Sequence, residues 1–206
     1  MNKMCVPFDD EDLIHGAGQF RVGGVAPEVV TPGAGTLSDL GRDDILYVLA
    51  HGRYSSGSEI VGIVKGHLWG TRRSTMKAAD LAEFLRGKGL PTSFGDLRLL
   101  VCWGGYVGDS VTDGGHTLKR SSEQAPFAGQ LCSVLKDKFG FTRIRVTGYR
   151  GMVSYVGKGK KTTISTVMVD LPGSSMVMDD FGVALKNNKA TGNTFTLDNK
   201  SRTVWY

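Results

Sequence analysis

Cysteine is scarce in this chain: its 206 residues carry only Cys5, Cys102 and Cys132. An odd, sparse set of this kind argues against a disulfide framework and suits a reducing compartment, where thiols stay reduced. No Cys-x-x-Cys or His-x-x-x-His spacing occurs, and His15, His51, His67 and His116 are scattered, so no metal site is expected. Long apolar runs are missing too. None approaches the roughly 18 residues needed to cross a bilayer, so no membrane span is expected. Residues 1–10 lack the apolar core of a secretory signal, which leaves the cytoplasm or export without a cleavable peptide. A strong charge of either sign is also lacking. The formal net charge is +5, which solvated lysines account for, so no nucleic-acid partner is inferred.

What is present suits one ordinary domain, 40% hydrophobic and 22% charged, with enough chain to bury a core. Residues 1–36 are rich in Gly and Pro, with an acidic run at 9–12 and one candidate strand at 19–22. They read as an N-terminal extension, part flexible tail and part cover for a sheet. From Leu37 onward, strands and helices alternate. An apolar strand at 45–50 is followed by a strand or hairpin arm at 59–64. Ser74 or Thr75 is placed to cap a helix through about Arg86, with Ala78, Leu81, Ala82 and Leu85 on one face. Gly87, Gly89 and Pro91 end it. A second apolar strand runs at 97–101, and residues 104–124 form a long polar stretch. Pro126 opens a further helix with the stripe Phe127, Leu131, Val134, Leu135 and Phe139, stopped by Gly140. A third strand follows at 143–149. This alternation predicts an α/β fold with a mostly parallel sheet and helices on its faces. Beyond Val153 the segments shorten. A hairpin of 152–156 and 162–169 about a tip at 157–161, and a second turn at 198–201 between 194–197 and 202–206, predict a C-terminal antiparallel β extension.

Two of the strands end alike. The strand at 45–50 runs into His51-Gly52, and the strand at 97–101 into Cys102-Trp103-Gly104-Gly105. In one parallel sheet their carboxyl ends share the crevice where open α/β sheets place their chemistry. A thiol attacks only as thiolate, and an adjacent imidazole takes its proton. Glycine lets the backbone come close to an acyl group. The N–H groups of Gly52 and Cys102 are therefore candidate oxyanion donors, each worth roughly 3 kcal/mol in such sites. Either residue alone has a plainer reading, a small core thiol or a polar strand end. Their equivalent positions carry the inference. Cys132 reads as packing on its helix, Cys5 as incidental, and His116 as a solvated loop histidine.

Strands ending in His-Gly and, 51 residues later, in Cys with glycines beyond it resemble the caspase-like cysteine peptidases. That group includes caspases, legumains, gingipains, clostripain and the self-cleaving protease domains of bacterial toxins. The stretches 44–52, 79–85, 99–102 and 126–128 look most like the toxin-domain branch and its effector relatives. The resemblance covers roughly residues 37–156. It implies a caspase-like three-layer α/β sandwich within one domain: an extension (1–36), a catalytic core (37–156), and a β-flap with C-terminal extension (157–206). It implies a cysteine endopeptidase acting on a protein or peptide, with His51 as general acid/base, Cys102 as nucleophile, and Gly52 with the Cys102 amide as oxyanion hole. It directs attention to Trp103, Ser154 and Tyr155 for substrate binding, and to residues 104–124 as a processing loop. The toxin domains are switched on by inositol hexakisphosphate, which draws Lys158, Lys160 and Lys161 in as anion-binding candidates; the chemistry itself needs no cofactor. Localisation follows as bacterial cytoplasm or a secreted effector working in a reducing compartment such as host cytosol. Trp103 departs from the small or acidic neighbour that many relatives carry beside the cysteine. It leaves two alternatives open: a Cys–His acyltransferase or deamidase on the same scaffold, and a non-catalytic binding pseudoenzyme. Oligomeric state and substrate are not legible.

Overall fold

The computed structural model describes residues 1–53, 56–66, 70–102, 104, 110–113, 116–119, 125–149, 152–158, 161–167 and 202–205. The apolar run at 45–50 forms strand β3 (Ile45–Leu49), near the middle of a six-stranded sheet. Its neighbours are β1 (Asn2–Cys5) on one side and β7 (Asp96–Leu100) on the other, both parallel to it. β2 (Glu28–Val30) extends the sheet beyond β1, and β10 (Arg145–Tyr149) extends it beyond β7, again in parallel. The far edge is β13 (Arg202–Trp205), which runs antiparallel to β10. The order is therefore β2-β1-β3-β7-β10-β13, so the expected α/β class with a mostly parallel sheet is what the chain forms.

Side chains alternate across the strands, so each strand feeds two cores. Cys5, Leu46, Val48, Leu97, Leu99 and Val146 point to one face. There they meet helices α2 (Ala78–Gly87) and α3 (Phe127–Asp137) through Leu81, Leu85, Leu131 and Leu135. Met4, Val6, Tyr47, Leu49 and Leu100 point to the other face, against Leu13 and Ala17 of α1 (Glu11–Gln19) and against Phe20. Helices thus cover both faces, giving three layers.

The N-terminal segment is not a loose extension. β1 sits between β3 and β2, and Met4, Cys5 and Val6 are fully buried. Its lysine escapes a sequence reading because Lys3 is buried by pairing. The ammonium reaches Asp39 at 2.6 Å, Glu28 at 3.0 Å and the Thr36 carbonyl at 2.8 Å. Burial works against the charged amine, yet these partners outweigh it and hold its pKa above the ordinary value. The strand expected at 19–22 does not form: Gln19 closes α1, and Val22 makes an isolated bridge with Val25.

Other expectations shift for equally local reasons. The helix expected from Ser74 begins at Ala78, because 71–77 form strand β6 (Thr71–Lys77), paired antiparallel with β5 (Ser56–Lys65). Asp80 instead accepts the Lys77 N–H at 2.9 Å and closes the helix start. β4 (His51–Arg53) completes a three-stranded sheet in the order β4-β5-β6. The stretch 104–124 carries a hairpin of β8 (Ser110–Asp113) and β9 (His116–Lys119) where the sequence reads as one long loop. The C-terminal hairpin forms as β11 (Met152–Lys158) and β12 (Lys161–Val167). The segment 194–201 lies outside the described residues, and β13 finds its partner in β10.

Candidate active site

β3 and β7 pair in register to their last residues, Leu49 opposite Leu100, so their carboxyl ends stop side by side. The Ala50 N–H still reaches the Leu100 carbonyl, at 3.5 Å. Beyond that pair the two chains part. His51 opens β4, and Cys102 sits in a turn whose Gly104 N–H donates to the Val101 carbonyl at 3.2 Å. The same turn is tied to the start of α3, because the Ala128 N–H donates to the Gly104 carbonyl at 2.9 Å. The start of α3 is thereby held against the turn that bears Cys102.

Between the two strand ends the backbones touch at Gly52. A Cβ built on Gly52 would stand 1.7 Å from the Cys102 carbonyl oxygen and 3.0 Å from the Cys102 nitrogen. Only a residue without a side chain permits that approach. The sequence cue of a glycine after the histidine thus has a physical cause. Gly52 lets the segment bearing His51 lie directly on the segment bearing Cys102.

The histidine has a partner that sequence reasoning missed. The Asp10 carboxylate lies 3.4 Å from His51 Nε2. Asp10 is 2% exposed, whereas the His51 side chain is 30% exposed. The carboxylate is fixed by two backbone donors. The Leu13 N–H reaches Oδ1 at 3.1 Å, the N-cap bond of α1, and the Ile63 N–H reaches Oδ2 at 2.6 Å. Its position is set by what precedes it. Phe8 packs so closely on β5 that a Cβ at Gly62 would stand 2.3 Å from its ring, which pins residues 7–10 across the three-stranded sheet. A carboxylate on one imidazole nitrogen orients the ring and leaves the other nitrogen for chemistry. A separation of 3.4 Å is long for a hydrogen bond, as is common at catalytic sites before substrate binds. The local signal for Asp10 was its place as an Asp three residues before Leu13, an N-cap pattern hidden inside an acidic run.

The other two thiols are removed from this chemistry. Burial pushes the Cys5 thiol up to about 12, with Lys88 opposing slightly. Burial likewise raises Cys132, whose sulfur lies 3.9 Å from the Ile144 carbonyl. None of the three cysteines is in a disulfide.

The remaining candidates are not brought to this edge by the described contacts. Ser154 and Tyr155 lie on β11, opposite Ser165 and Ile164, in a ladder separate from the main sheet. Lys158 and Lys161 are backbone partners at the end of that ladder. Trp103 and Lys160 lie outside the described residues, as do most of residues 104–124. Among the described residues no group of three or more His, Cys, Asp or Glu is placed to hold a metal ion, and no helix is long and apolar enough to cross a membrane. A search of family models, of curated proteins and of solved structures finds no match to this chain.

Proposed function

We propose that this protein is a cysteine endopeptidase in which Cys102 is the nucleophile, His51 the general acid/base and Asp10 the residue that orients His51. One observation carries the reading: the close backbone contact of Gly52 with Cys102, which brings the segments bearing His51 and Cys102 together at one sheet edge. The Asp10 carboxylate behind His51 supports it. Three layers, a mostly parallel sheet, and adjacent strands ending at both residues also suit a caspase-like scaffold.

The chemistry balances as an acyl transfer to water. His51 takes the thiol proton, and the Cys102 thiolate attacks the scissile carbonyl carbon to form a C–S bond. Asp10 stabilises the imidazolium that results. The backbone N–H groups of Gly52 and Cys102 are the donors proposed for the oxyanion. His51 then gives its proton to the departing amine as the C–N bond breaks. Water, deprotonated by His51, attacks the thioester, and the thiolate leaves with an acid as product. The substrate is a protein or peptide. A bacterial effector or toxin-type enzyme working in a reducing compartment is the setting that sparse, unbridged cysteines suit.

The test is proteolysis of casein and of a peptide library by the native protein and by Cys102→Ala and His51→Ala. Cleavage lost in both variants is expected. Cleavage retained in either overturns the mechanism. Intact mass of a modified target separates hydrolysis from deamidation, which leaves the chain uncut and adds about one dalton.

A further inference from the structure

A cleft of about 550 Å³ borders the segment on either side of Asp10, and neither His51 nor Cys102 lines it. One wall is residues 7–14 and the other is the face of β5 and β6. Its volume falls in the range of ligand-binding clefts, and Phe8, Ile14, Val64 and Met76 are the larger apolar residues among its lining. Along β6 the residues lining it are Arg72, Ser74 and Met76, every second position. That is the spacing at which an extended chain presents its own side chains. β6 is also the edge of its sheet: among the described residues its only strand partner is β5. Charge selects the ligand. Alternation puts Arg73 and Lys77, both exposed, on the face of β6 opposite the cleft, where alternate side chains of a strand added at that edge would meet them. Within the cleft Asp9 balances Arg72, and Glu11 is engaged by Lys65 at 2.6 Å.

We propose that this cleft binds an extended peptide in which acidic and apolar residues alternate, laid along β6 with its apolar side chains in the cleft. The peptide belongs to the protein substrate, at a distance from the cleaved bond, so this proposal rests on the endopeptidase reading. Occupancy is coupled to the catalytic edge by shared segments. Asp9 and Glu11 line the cleft while Asp10, between them, turns inward to His51. Val64 lines it while the neighbouring Ile63 N–H holds Asp10. A ligand that packs both walls together therefore restrains the carboxylate that orients the imidazole.

The experiment uses fluorescein-labelled Glu-Leu-Glu-Val-Glu-Leu-Glu, its Lys-for-Glu counterpart, and fluorescence anisotropy. The native protein and Cys102→Ala are expected to bind the acidic peptide equally, because binding needs no catalysis. Arg73→Glu and Met76→Glu are each expected to weaken it about tenfold or more. The acidic peptide is also expected to alter the rate at which iodoacetamide modifies Cys102. Equal binding of the acidic and basic peptides, no binding of either, or unchanged affinity in folded Arg73→Glu overturns the cleft proposal. Acidic-peptide binding that survives alongside a failure of all proteolysis leaves the cleft standing as a peptide site and overturns its assignment to a protease substrate.

Discussion

Replacing Asp10 by Asn separates the structural from the chemical role of one buried carboxylate. Three groups converge on it: the Leu13 N–H at 3.1 Å, the Ile63 N–H at 2.6 Å and His51 Nε2 at 3.4 Å. The carboxylate accepts on both oxygens; an amide accepts on one. If the Asn oxygen faces Ile63 and His51, its NH2 confronts the Leu13 N–H, and the helix loses its cap. If the amide is reversed, the NH2 confronts the Ile63 N–H and His51. Either way one buried N–H is left unpaired, at a cost of about 1–3 kcal/mol. For a chain of this size that is a fall in Tm of about 2–12 °C. The chemical loss is larger. Without a carboxylate the imidazolium formed during proton transfer is unsupported, and kcat/KM is expected to fall about 10²-fold or more. Leu85→Ala is the control. Leu85 is fully buried against the opposite face of the sheet, so its truncation costs about 2–5 kcal/mol without touching His51. Both variants are assayed well below their Tm for peptide cleavage and for alkylation of Cys102 by iodoacetamide. Asp10→Asn should lose activity out of proportion to its stability, and Leu85→Ala should not. Equal activity in the two variants, with Cys102 alkylated at the native rate in both, would refute a role for Asp10 beyond capping α1.

Gly52→Ala forces a methyl group to within 1.7 Å of the Cys102 carbonyl, so the two strand ends must separate. It should cost about 1–3 kcal/mol of stability by urea unfolding, and about 10²-fold in kcat/KM because a shift near 1 Å disrupts alignment. Iodoacetamide should label native protein at Cys102 alone in a peptide mass map, since burial raises the pKa of both Cys5 and Cys132. Labelling of either before unfolding contradicts the burial argument. Asp96 is buried, which works to raise its carboxyl, but hydrogen bonds from Arg98 at 2.8 Å and Arg145 at 2.7 Å outweigh this and hold it below the usual range. A depressed folded value means that this stabilisation is present above the unfolded value of about 4 and is lost as pH falls through the folded one. Asp96→Asn should therefore be less stable than native at pH 7 by thermal denaturation, with the difference shrinking in acid. A constant difference down to pH 2–3 contradicts it.

Local patterning carried the main frame. The apolar runs of β3 and β7 were legible because both faces of these strands are buried, and the helical stripes of α2 and α3 because each helix buries one face. β1 and β6 were not legible, for different reasons. β1 holds a lysine that becomes tolerable in the core only because Glu28 and Asp39, 25 and 36 residues away in sequence, come to meet it. β6 is an exposed edge whose Thr71–Lys77 has no apolar alternation, and only its pairing with β5 makes it a strand. Strand boundaries moved where such pairing overrode local propensity, as at 71–77.

By itself the sequence determined that an α/β fold would carry a histidine and a cysteine at equivalent strand ends, each with glycine close behind, because strand-ending patterns are written within a few residues. The tertiary structure alone decided that these ends are neighbours, that Gly52 rests on the Cys102 backbone, and that Asp10 stands behind His51. Asp10 and Ile63 are 53 residues apart, and no local pattern encodes their bond. A carboxylate in an acidic run looks solvated until the strand before it enters the sheet and Phe8 packs on Gly62; those contacts bury the carboxylate and aim it at the imidazole.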